Sequence, residues 1–383
     1  MTKKIAIVGA GVVGASAAYY LSKEKDIEVT IFDEGIGQGT SAAAGIISPW
    51  LSRRRNQKWY RMVKAGAAFY PEFLSEAMDG ELIPTTVYSK VGTLLFKSKY
   101  RYLEELLEIG RKRREEAPEI GDLQILSPEE IKLKVPIYTG ELSALWASGG
   151  AKVDGKELVN LLIEKATQNG ATFIQERVEN LKPASSGVTI STVQTAYAFD
   201  SIVLAVAAWL PTLLEPLGYE LDLRPQKGQL AILQLQNTPT AAWPVIMPEG
   251  ESDIIPFEDG RIVIGATHEN DKGFDLEIDS SLLASMVEDS AAQFSTHFEQ
   301  ATIVDYRSGT RAYTSDFSPY YGPVPSLPNV YAASGLGSTG LTAGPLVGKE
   351  LALLAMDQET QLPLSDYPIE HYIKKINGSK KQD

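Results

Sequence analysis

The stretch KKIAIVGAGVVGASAAYYLS, residues 3–22, decides the fold of this chain. It opens on two lysines and continues as an apolar run that contains three glycines. Such a stretch fits a secretory signal, a membrane-spanning helix or the start of a nucleotide-binding fold. Residues 5–21 are fewer than the roughly 20 apolar residues of a membrane span, and the glycines weaken a helix. The export and membrane interpretations are therefore the weaker ones.

The glycines have a better explanation as a phosphate-binding turn. Gly9, Gly11 and Gly14 form the pattern G-x-G-x-x-G directly after the short apolar run at residues 5–8. A helix-forming segment follows, and then a second apolar strand, IEVTIF, which ends at Asp33. The dinucleotide fingerprint has a ribose-binding acid about 20 residues beyond its glycines. The stretch therefore predicts a β-α-β unit whose helix N-terminus faces a pyrophosphate, with Glu34 as the second candidate for the ribose acid.

Composition limits the class of protein. The 383 residues are enough for two or three domains, and 44% apolar with 22% charged residues is typical of a soluble globular protein. The net charge of −13 argues against a nucleic-acid partner, which needs a basic face. The absence of cysteine excludes disulfides, thiolate metal sites and a cysteine-linked flavin. We expect a cytoplasmic protein with no integral membrane segment and no metal, and the sequence is compatible with an oligomer.

Nucleotide-domain patterns recur along the chain. Strand and helix segments of this type stand at its start, middle and end, and strand-rich segments separate them. We predict an α/β fold with two discontinuous domains. The first is a Rossmann-like domain of residues 1–80, 145–218 and 307–383, and the second is built on a mixed β-sheet of residues 81–144 and 219–306.

Four further motifs carry a family resemblance. They are GTSAAAGIISP at 39–49, PQKGQ at 225–229, GTRAYTSDFSPYYG at 309–322 and SGLGSTGLTAGP at 334–345. With the first motif they make the chain resemble the FAD-dependent D-amino-acid oxidase and dehydrogenase family, which includes glycine oxidase and sarcosine oxidase. The resemblance covers nearly the whole chain, and it implies that the first domain binds FAD noncovalently.

The resemblance also implies which residues form the site. The FAD would be bound by Gly9, Gly11, Gly14, Asp33, Glu34, Ser41, Ala44, Gly45, Ile46, Val178, Gly335, Gly337, Ser338, Thr339, Gly340, Leu341 and Thr342. Arg311 would bind the substrate, because an arginine can hold a carboxylate with two parallel hydrogen bonds. A structural ion pair with Asp316 is the alternative role for Arg311. No acid or base from the protein is implied.

The implied reaction is oxidation of the C–N bond of a small amine or D-amino acid. A hydride passes to flavin N5, and the resulting imine hydrolyses to an oxo acid and ammonia. The acceptor that reoxidises the flavin stays open between oxygen and a quinone or other electron carrier. Two alternatives also fit the first motif: an NAD(P)-dependent dehydrogenase and a non-catalytic flavin-binding subunit.

Three positions depart from the family pattern. Ala207, in LAVAAW at 204–209, stands where the family often has glycine. Ala312 follows Arg311 where the family usually has proline. Asp253, in SDIIPF at 252–257, stands where glycine-oxidase-like members carry a tyrosine near the substrate. We interpret Asp253 as a solvated loop acid, because charged side chains are mostly exposed, and contact with a substrate amine is the alternative. The exact substrate is left open.

Overall fold

The chain divides into two compact units. A computed structural model describes residues 2–54, 56–184, 187–250 and 252–376. The first unit comprises Met1–Gln38, Val159–Gln226 and Thr310–Asp383, and the second comprises Gly39–Leu158 and Lys227–Gly309. By packing, residues 39–80, 145–158 and 307–309 lie in the second unit, whereas the predicted boundaries assign them to the nucleotide domain. Residues 219–226 lie in the first unit, whereas the prediction assigns them to the second domain. Residues 377–383 of the predicted first domain lie outside the described residues.

The elements have the following bounds. The helices are α1 Val12–Ser22, α2 Gln57–Ala77, α3 Tyr100–Arg114, α4 Pro128–Lys134, α5 Gly155–Gln168, α6 Leu210–Leu214, α7 Ser280–Gln293 and α8 Gly340–Ala355. The strands are β1 Lys3–Val8, β2 Ile27–Phe32, β3 Ile46–Ile47, β4 Tyr88–Lys90, β5 Thr93–Phe96, β6 Leu123–Leu126, β7 Ala144–Ala147, β8 Ala151–Val153, β9 Thr172–Ile174, β10 Asn180–Ala184 and β11 Gly187–Ser191. They continue with β12 Ala196–Phe199, β13 Ser201–Leu204, β14 Tyr219–Leu221, β15 Arg224–Gln234, β16 Val245–Met247, β17 Asp253–Pro256, β18 Arg261–Gly265, β19 Thr302–Tyr313, β20 Tyr320–Pro323, β21 Val330–Ser334 and β22 Ile373–Lys375.

The first unit is built on a six-stranded sheet in the order β20-β21-β13-β1-β2-β9. The neighbours from β21 to β9 are parallel, and only β20 runs antiparallel to its partner. Strands of a parallel sheet are covered on both faces, which explains the continuous apolar runs at residues 5–8 of β1 and 202–204 of β13. Two small sheets, β10-β11-β12 and β14-β22, complete this unit.

Glycine allows α1 to approach β1 closely. A Cβ atom at Gly14 would lie 1.8 Å from the carbonyl oxygen of Gly9, and one at Gly9 would lie 2.6 Å from that of Ala205. Gly9 also has a φ of +94°, which side chains disfavour. Gly9 therefore allows the turn after β1, and Gly14 allows the close packing of α1 against this turn.

The second unit contains an eight-stranded mixed sheet in the order β19-β15-β18-β17-β16-β5-β7-β6. One face packs against α4, α7 and the turn that follows α7, in an apolar cluster that includes Leu233, Ile254 and Leu283. The opposite face carries a smaller apolar cluster, which we call the second face. Its buried members are Leu230, Ile232, Val245, Ile255, Phe257, Val263 and Ala266.

A short sheet, β3-β8-β4, also belongs to the second unit. Its β3 follows the predicted cofactor segment 41–46, and Ala44 and Ile46 pack against the second face. The alternation of residues along β15 and β17 therefore decides which side chains meet this segment and which meet α7. Among the described residues, none of the helices is long and apolar enough to cross a membrane.

Candidate functional site

Two helix N-termini meet in the first unit. Strands β1 and β21 are both parallel members of its main sheet, and they lead into α1 and into the loop before α8. A Cβ at Gly344, in the first turns of α8, would lie 2.5 Å from Val12 Cγ1, at the first residue of α1. The first turn of an α-helix has N–H groups without partners inside the helix and carries a partial positive charge. This edge of the sheet therefore suits an anionic dinucleotide.

Asp33 links the glycine turn after β1 to the loop that follows β2. Its carboxylate accepts hydrogen bonds from Ala10 N at 2.5 Å, from Gly35 N at 2.6 Å and from Gln38 Nε2 at 2.8 Å. An ionised carboxylate has about four acceptor positions, so one remains for a ribose hydroxyl. The neighbouring Glu34 pairs with Arg177 at 3.1 Å. Asp33 thus occupies the position that the fingerprint predicts, and it also holds the loop in place.

The loop at 335–342 forms the start of α8. The backbone N–H of Ser338 donates to the hydroxyl of Tyr313 at 3.0 Å, which fixes the loop against β19. A Cβ at Gly340 would meet no protein atom within 4 Å, so the helix begins beside open space. The next residues, Leu341 and Thr342, are buried. This glycine leaves room for a flat ring at a helix N-terminus, as the FAD assignment requires.

The predicted cofactor residues fall in both units. The first unit contains Gly9, Gly11, Gly14, Asp33, Glu34, Val178, Gly335, Gly337, Ser338, Thr339, Gly340, Leu341 and Thr342, and the second contains Ser41, Ala44, Gly45 and Ile46. Val178 is buried in the apolar core of the first unit.

The motif segment in the second unit is tightly fixed. A Cβ at Gly45 would lie 2.1 Å from the carbonyl oxygen of Val153, and the φ of Gly45 is +93°. Arg307 donates Nη1 to the carbonyl oxygen of Ser41 at 3.1 Å and lies 3.6 Å from Asp154 Oδ1. The segment is held from both ends, and Ala44 and Ile46 are left to face the apolar cluster.

Arg311 is half-buried near the end of β19. Its Nη1 donates to the neutral amide oxygen of Gln226 at 3.1 Å. The carboxylate of Asp316 accepts hydrogen bonds from Thr314, Ser318 and Tyr372 at 3.0–3.1 Å. These contacts of Asp316 do not support the alternative in which it pairs with Arg311. A guanidinium with a neutral partner can still neutralise a carboxylate that binds to it.

Asp253 differs from its interpretation as a solvated loop acid. It is the first residue of β17, where it pairs with Gly265 of β18, and its side chain is only partly exposed. Burial raises the pKa of its carboxyl from 3.8 to about 7. The sequence contains a signal for this position, because SDIIPF reads as a short apolar strand that begins at the acid.

The comparisons with known proteins extend over nearly the whole chain. Residues 4–354 match the DAO family, described as FAD dependent oxidoreductase. The uncharacterized oxidoreductase YurR of Bacillus subtilis is 39% identical over 95% of this chain and 98% of its own length. A glycine oxidase of Geobacillus kaustophilus is 26% identical over 97% of this chain and 98% of its own length.

Among solved structures, the iminodiacetate oxidase IdaA of Chelativorans sp. BNC1 superposes with a TM-score of 0.89. It is 31% identical, and the match covers 95% of this chain and 98% of that protein. The α/β fold with a Rossmann-like FAD-binding part and a second part on a mixed sheet, which the sequence predicts, is confirmed by these matches. The chain belongs to the DAO family of FAD dependent oxidoreductases.

Proposed function

We propose that the protein oxidises the C–N bond of a small amine that carries a carboxylate, such as a D-amino acid or an N-substituted glycine. The observation that carries this proposal is Arg311, a half-buried guanidinium whose Nη1 donates to the neutral amide oxygen of Gln226. A substrate carboxylate could accept two parallel hydrogen bonds from such a guanidinium.

The names of similar proteins support the same substrate class. Iminodiacetate and glycine, which name two of them, are amines with a carboxylate on the carbon next to nitrogen. An arginine suits this class because the carboxylate is common to all its members and the nitrogen substituent varies. The family cofactor is FAD, which decides against the NAD(P)-dependent alternative.

We assign the following roles to the residues of this chain. The N-termini of α1 and α8 would bind the anionic parts of the FAD, and Asp33 would accept a hydrogen bond from its ribose. When bound, FAD supplies the oxidant, because its N5 accepts the hydride that leaves the substrate carbon. Arg311 would orient the substrate by its carboxylate, so that one C–H bond is presented in a fixed direction. The imine product would hydrolyse in water to the oxo acid and ammonia, or to the oxo acid and a primary amine where the nitrogen carries a substituent.

A substrate panel read by flavin bleaching tests this function. The FAD-loaded protein is mixed without oxygen with glycine, iminodiacetate, sarcosine, several D-amino acids and the corresponding amines without a carboxylate. We expect at least one carboxylate-bearing amine to bleach the flavin, and its decarboxylated partner to react much more slowly. Repeating the active pair with oxygen and with a soluble quinone would identify the electron acceptor.

The panel also separates the enzyme from a non-catalytic flavin-binding subunit. A protein whose flavin no amine or amino acid bleaches, although dithionite reduces it, would contradict the proposed function. Equal rates for an amino acid and its decarboxylated partner would contradict the role of Arg311 but not the proposed oxidation. Cytoplasmic localisation and the roles of the individual FAD-binding residues stay predictions.

A further inference from the structure

Asp253 lies on the second face of the eight-stranded sheet. Alternate residues of a strand point to opposite faces, and Ile255 of β17 belongs to the cluster of the second face whereas Ile254 belongs to the opposite one. Asp253 therefore shares its face with Ile255. Ala44 and Ile46 pack against this same cluster. The acid thus stands on the sheet face that meets the motif segment to which the proposed function assigns FAD contact.

The surroundings of this carboxylate are apolar. Gly265 lies opposite it on β18, and the register of β16 places Met247 opposite it on the other side. Among the described residues, no hydrogen bond or ion pair involves the Asp253 side chain. Gly265 brings no polar side chain to the acid, and a Cβ there would lie 2.5 Å from the Cβ of Leu230. The carboxylate is therefore partly buried among apolar neighbours and has no internal partner among the described residues, which is costly unless it binds a ligand that carries a positive charge.

The charged groups on the second face lie at the far end of β17. Lys152 donates to the carbonyl oxygens of Ala241 and Pro256, and Arg261 pairs with Asp154 at 2.9 Å. Both cations are thus engaged several residues away from Asp253. Neither Lys152 nor Arg261 therefore serves as a counter-ion for Asp253.

At the Asp253 end of the sheet, the neighbouring acids are also engaged. Beyond β16, Glu249 accepts a hydrogen bond from the Ser98 backbone and lies 3.7 Å from Lys97 Nζ. Beyond β18, Glu269 accepts hydrogen bonds from the side chains of Gln229 and Thr267. His268 stands between Thr267 and Glu269 and is the group whose titration a pH experiment has to separate from that of Asp253.

We propose that the Asp253 carboxylate binds the ammonium group of the substrate and receives its proton, a role that rests on the proposed function. In this step the N–H bond breaks, the O–H bond of Asp253 forms, and the electron pair stays on nitrogen. The amine becomes neutral, which the loss of a hydride from the adjacent carbon requires. Because the chain then has its own proton acceptor, oxidation does not depend on the small fraction of amino acid that is neutral in water.

The first test is the pH profile of kcat/KM for Asp253→Asn. In the wild type, kcat/KM should fall as the pH drops through about 7, where the carboxylate takes up a proton. In the variant this fall of kcat/KM at low pH, the acid limb of the profile, should be absent. General base catalysis contributes about 100- to 10,000-fold, so the variant should lose at least about 100-fold near neutral pH. The loss should shrink as the pH approaches the pKa of the substrate ammonium, where neutral amine is supplied by the solvent.

A second readout needs no substrate. The pKa of Asp253 is raised from 3.8 to about 7 in the folded protein, so ionisation of this group favours unfolding. This contribution to stability is fully present below pH 3.8 and is lost as the pH rises through about 7. The Tm of the FAD-loaded Asp253→Asn variant should therefore exceed that of the wild type above pH 7, and the two should converge at acid pH.

Two matched variants complete the experiment. Asp259→Asn makes the same chemical change at an exposed acid in the turn between β17 and β18, and it should change neither the profile nor the Tm. His268→Asn should retain the acid limb. The proposal would be overturned if His268→Asn, and not Asp253→Asn, abolished the fall of kcat/KM at low pH. An unchanged pH profile in Asp253→Asn, or a Tm of this variant below that of the wild type above pH 7, would also overturn it. A wild type inert towards every amine would overturn the proposed function and this role together, whereas the Tm comparison reports on Asp253 alone.

Discussion

Arg311 is the residue on which the proposed substrate class depends. Its Nη1 donates to the amide oxygen of Gln226, and Asp316 is bound by three other groups. The hydrogen bonds of Asp316 described above do not include Arg311, so they give no support to the ion pair between these two residues. The substrate-binding role of Arg311 stays a prediction.

Replacing Arg311 with alanine should reduce kcat/KM strongly. Loss of one partner of a desolvated charge pair costs about 2–5 kcal/mol, which corresponds to about 30- to several-thousand-fold. Arg311→Lys should recover part of the loss, because a point charge cannot form the forked contact. Steady-state kinetics with an amino acid and with its decarboxylated amine measure the effect, and the amine should respond little.

The control for this substitution is Arg224→Ala. Arg224 is an exposed arginine at the start of β15 that lies over the ring of Phe317. It should leave kcat/KM nearly unchanged. If Arg311→Ala loses FAD together with activity, the residue stabilises the fold, and the substrate carboxylate is bound elsewhere.

Asp33 should matter more for FAD affinity than its neighbour Glu34. Removal of a charge-assisted hydrogen bond to ribose costs about 1.5–3 kcal/mol, so Asp33→Ala should raise the Kd for FAD about 10- to 150-fold. Glu34→Ala removes an ion pair with Arg177 on a partly exposed surface and should change the Kd little. Titration of the apoprotein with FAD measures both values. Equal effects, or a larger effect of Glu34→Ala, would contradict the assignment of Asp33.

At the scale of elements, the pairing of α1 with α8 builds the cofactor-binding edge. Both helices depend on small residues where they touch, since a Cβ at Gly348 would lie 2.4 Å from the carbonyl oxygen of Val13. At Gly340, the first residue of α8, a Cβ would meet nothing within 4 Å. The same helix thus contains one glycine that serves packing and one that borders open space.

These two glycines give a paired prediction. Gly348→Ala should destabilise the apoprotein by about 1–3 kcal/mol, because the new methyl group overpacks the α1–α8 contact. Gly340→Ala should leave the stability of the apoprotein nearly unchanged and should weaken FAD binding, because its methyl group would enter the space assigned to the cofactor. Denaturant unfolding of the apoproteins and FAD titration separate the two effects. Wild-type FAD affinity in Gly340→Ala would show that the cofactor does not lie beside this residue.

At the scale of the whole molecule, FAD should be held without a covalent bond. The chain has no cysteine to link to a flavin, and the residues assigned to FAD are glycines, small or apolar residues, two hydroxyl-bearing threonines, two serines and the two acids discussed above. Acid precipitation should therefore leave the yellow flavin in the supernatant. A ligand at 100 times its Kd stabilises the folded state by about 2.7 kcal/mol, so added FAD should raise the Tm of the apoprotein. A flavin that stays with the precipitate would contradict this prediction.

The sequence by itself determined the nucleotide-binding start of the chain and its cofactor. Gly14 is required by its close approach to Gly9 O and Gly9 by its positive φ, both local features of the motif, although a Cβ at Gly9 would also approach the distant Ala205. The same holds for α3, Tyr100–Arg114, because the periodicity of apolar residues along a helix is a local property. The order of the motifs along the chain predicted the family, and the family match confirmed it.

Only the tertiary structure decided the roles of residues whose environment comes from distant parts of the chain. Asp253 is interpreted as a solvated loop acid from the sequence, and it is a partly buried strand residue because β17 lies between β16 and β18, which place Met247 and Gly265 on either side of it. Arg311 donates a hydrogen bond to Gln226, which is 85 residues away along the chain. The residues next to Arg311 in the sequence do not predict this contact. Residues 39–80 follow the first motif directly, yet they pack with the second unit. Burial and pairing depend on strand order and register, which a single sequence does not specify, whereas turns, caps and periodicity are fixed by neighbours along the chain.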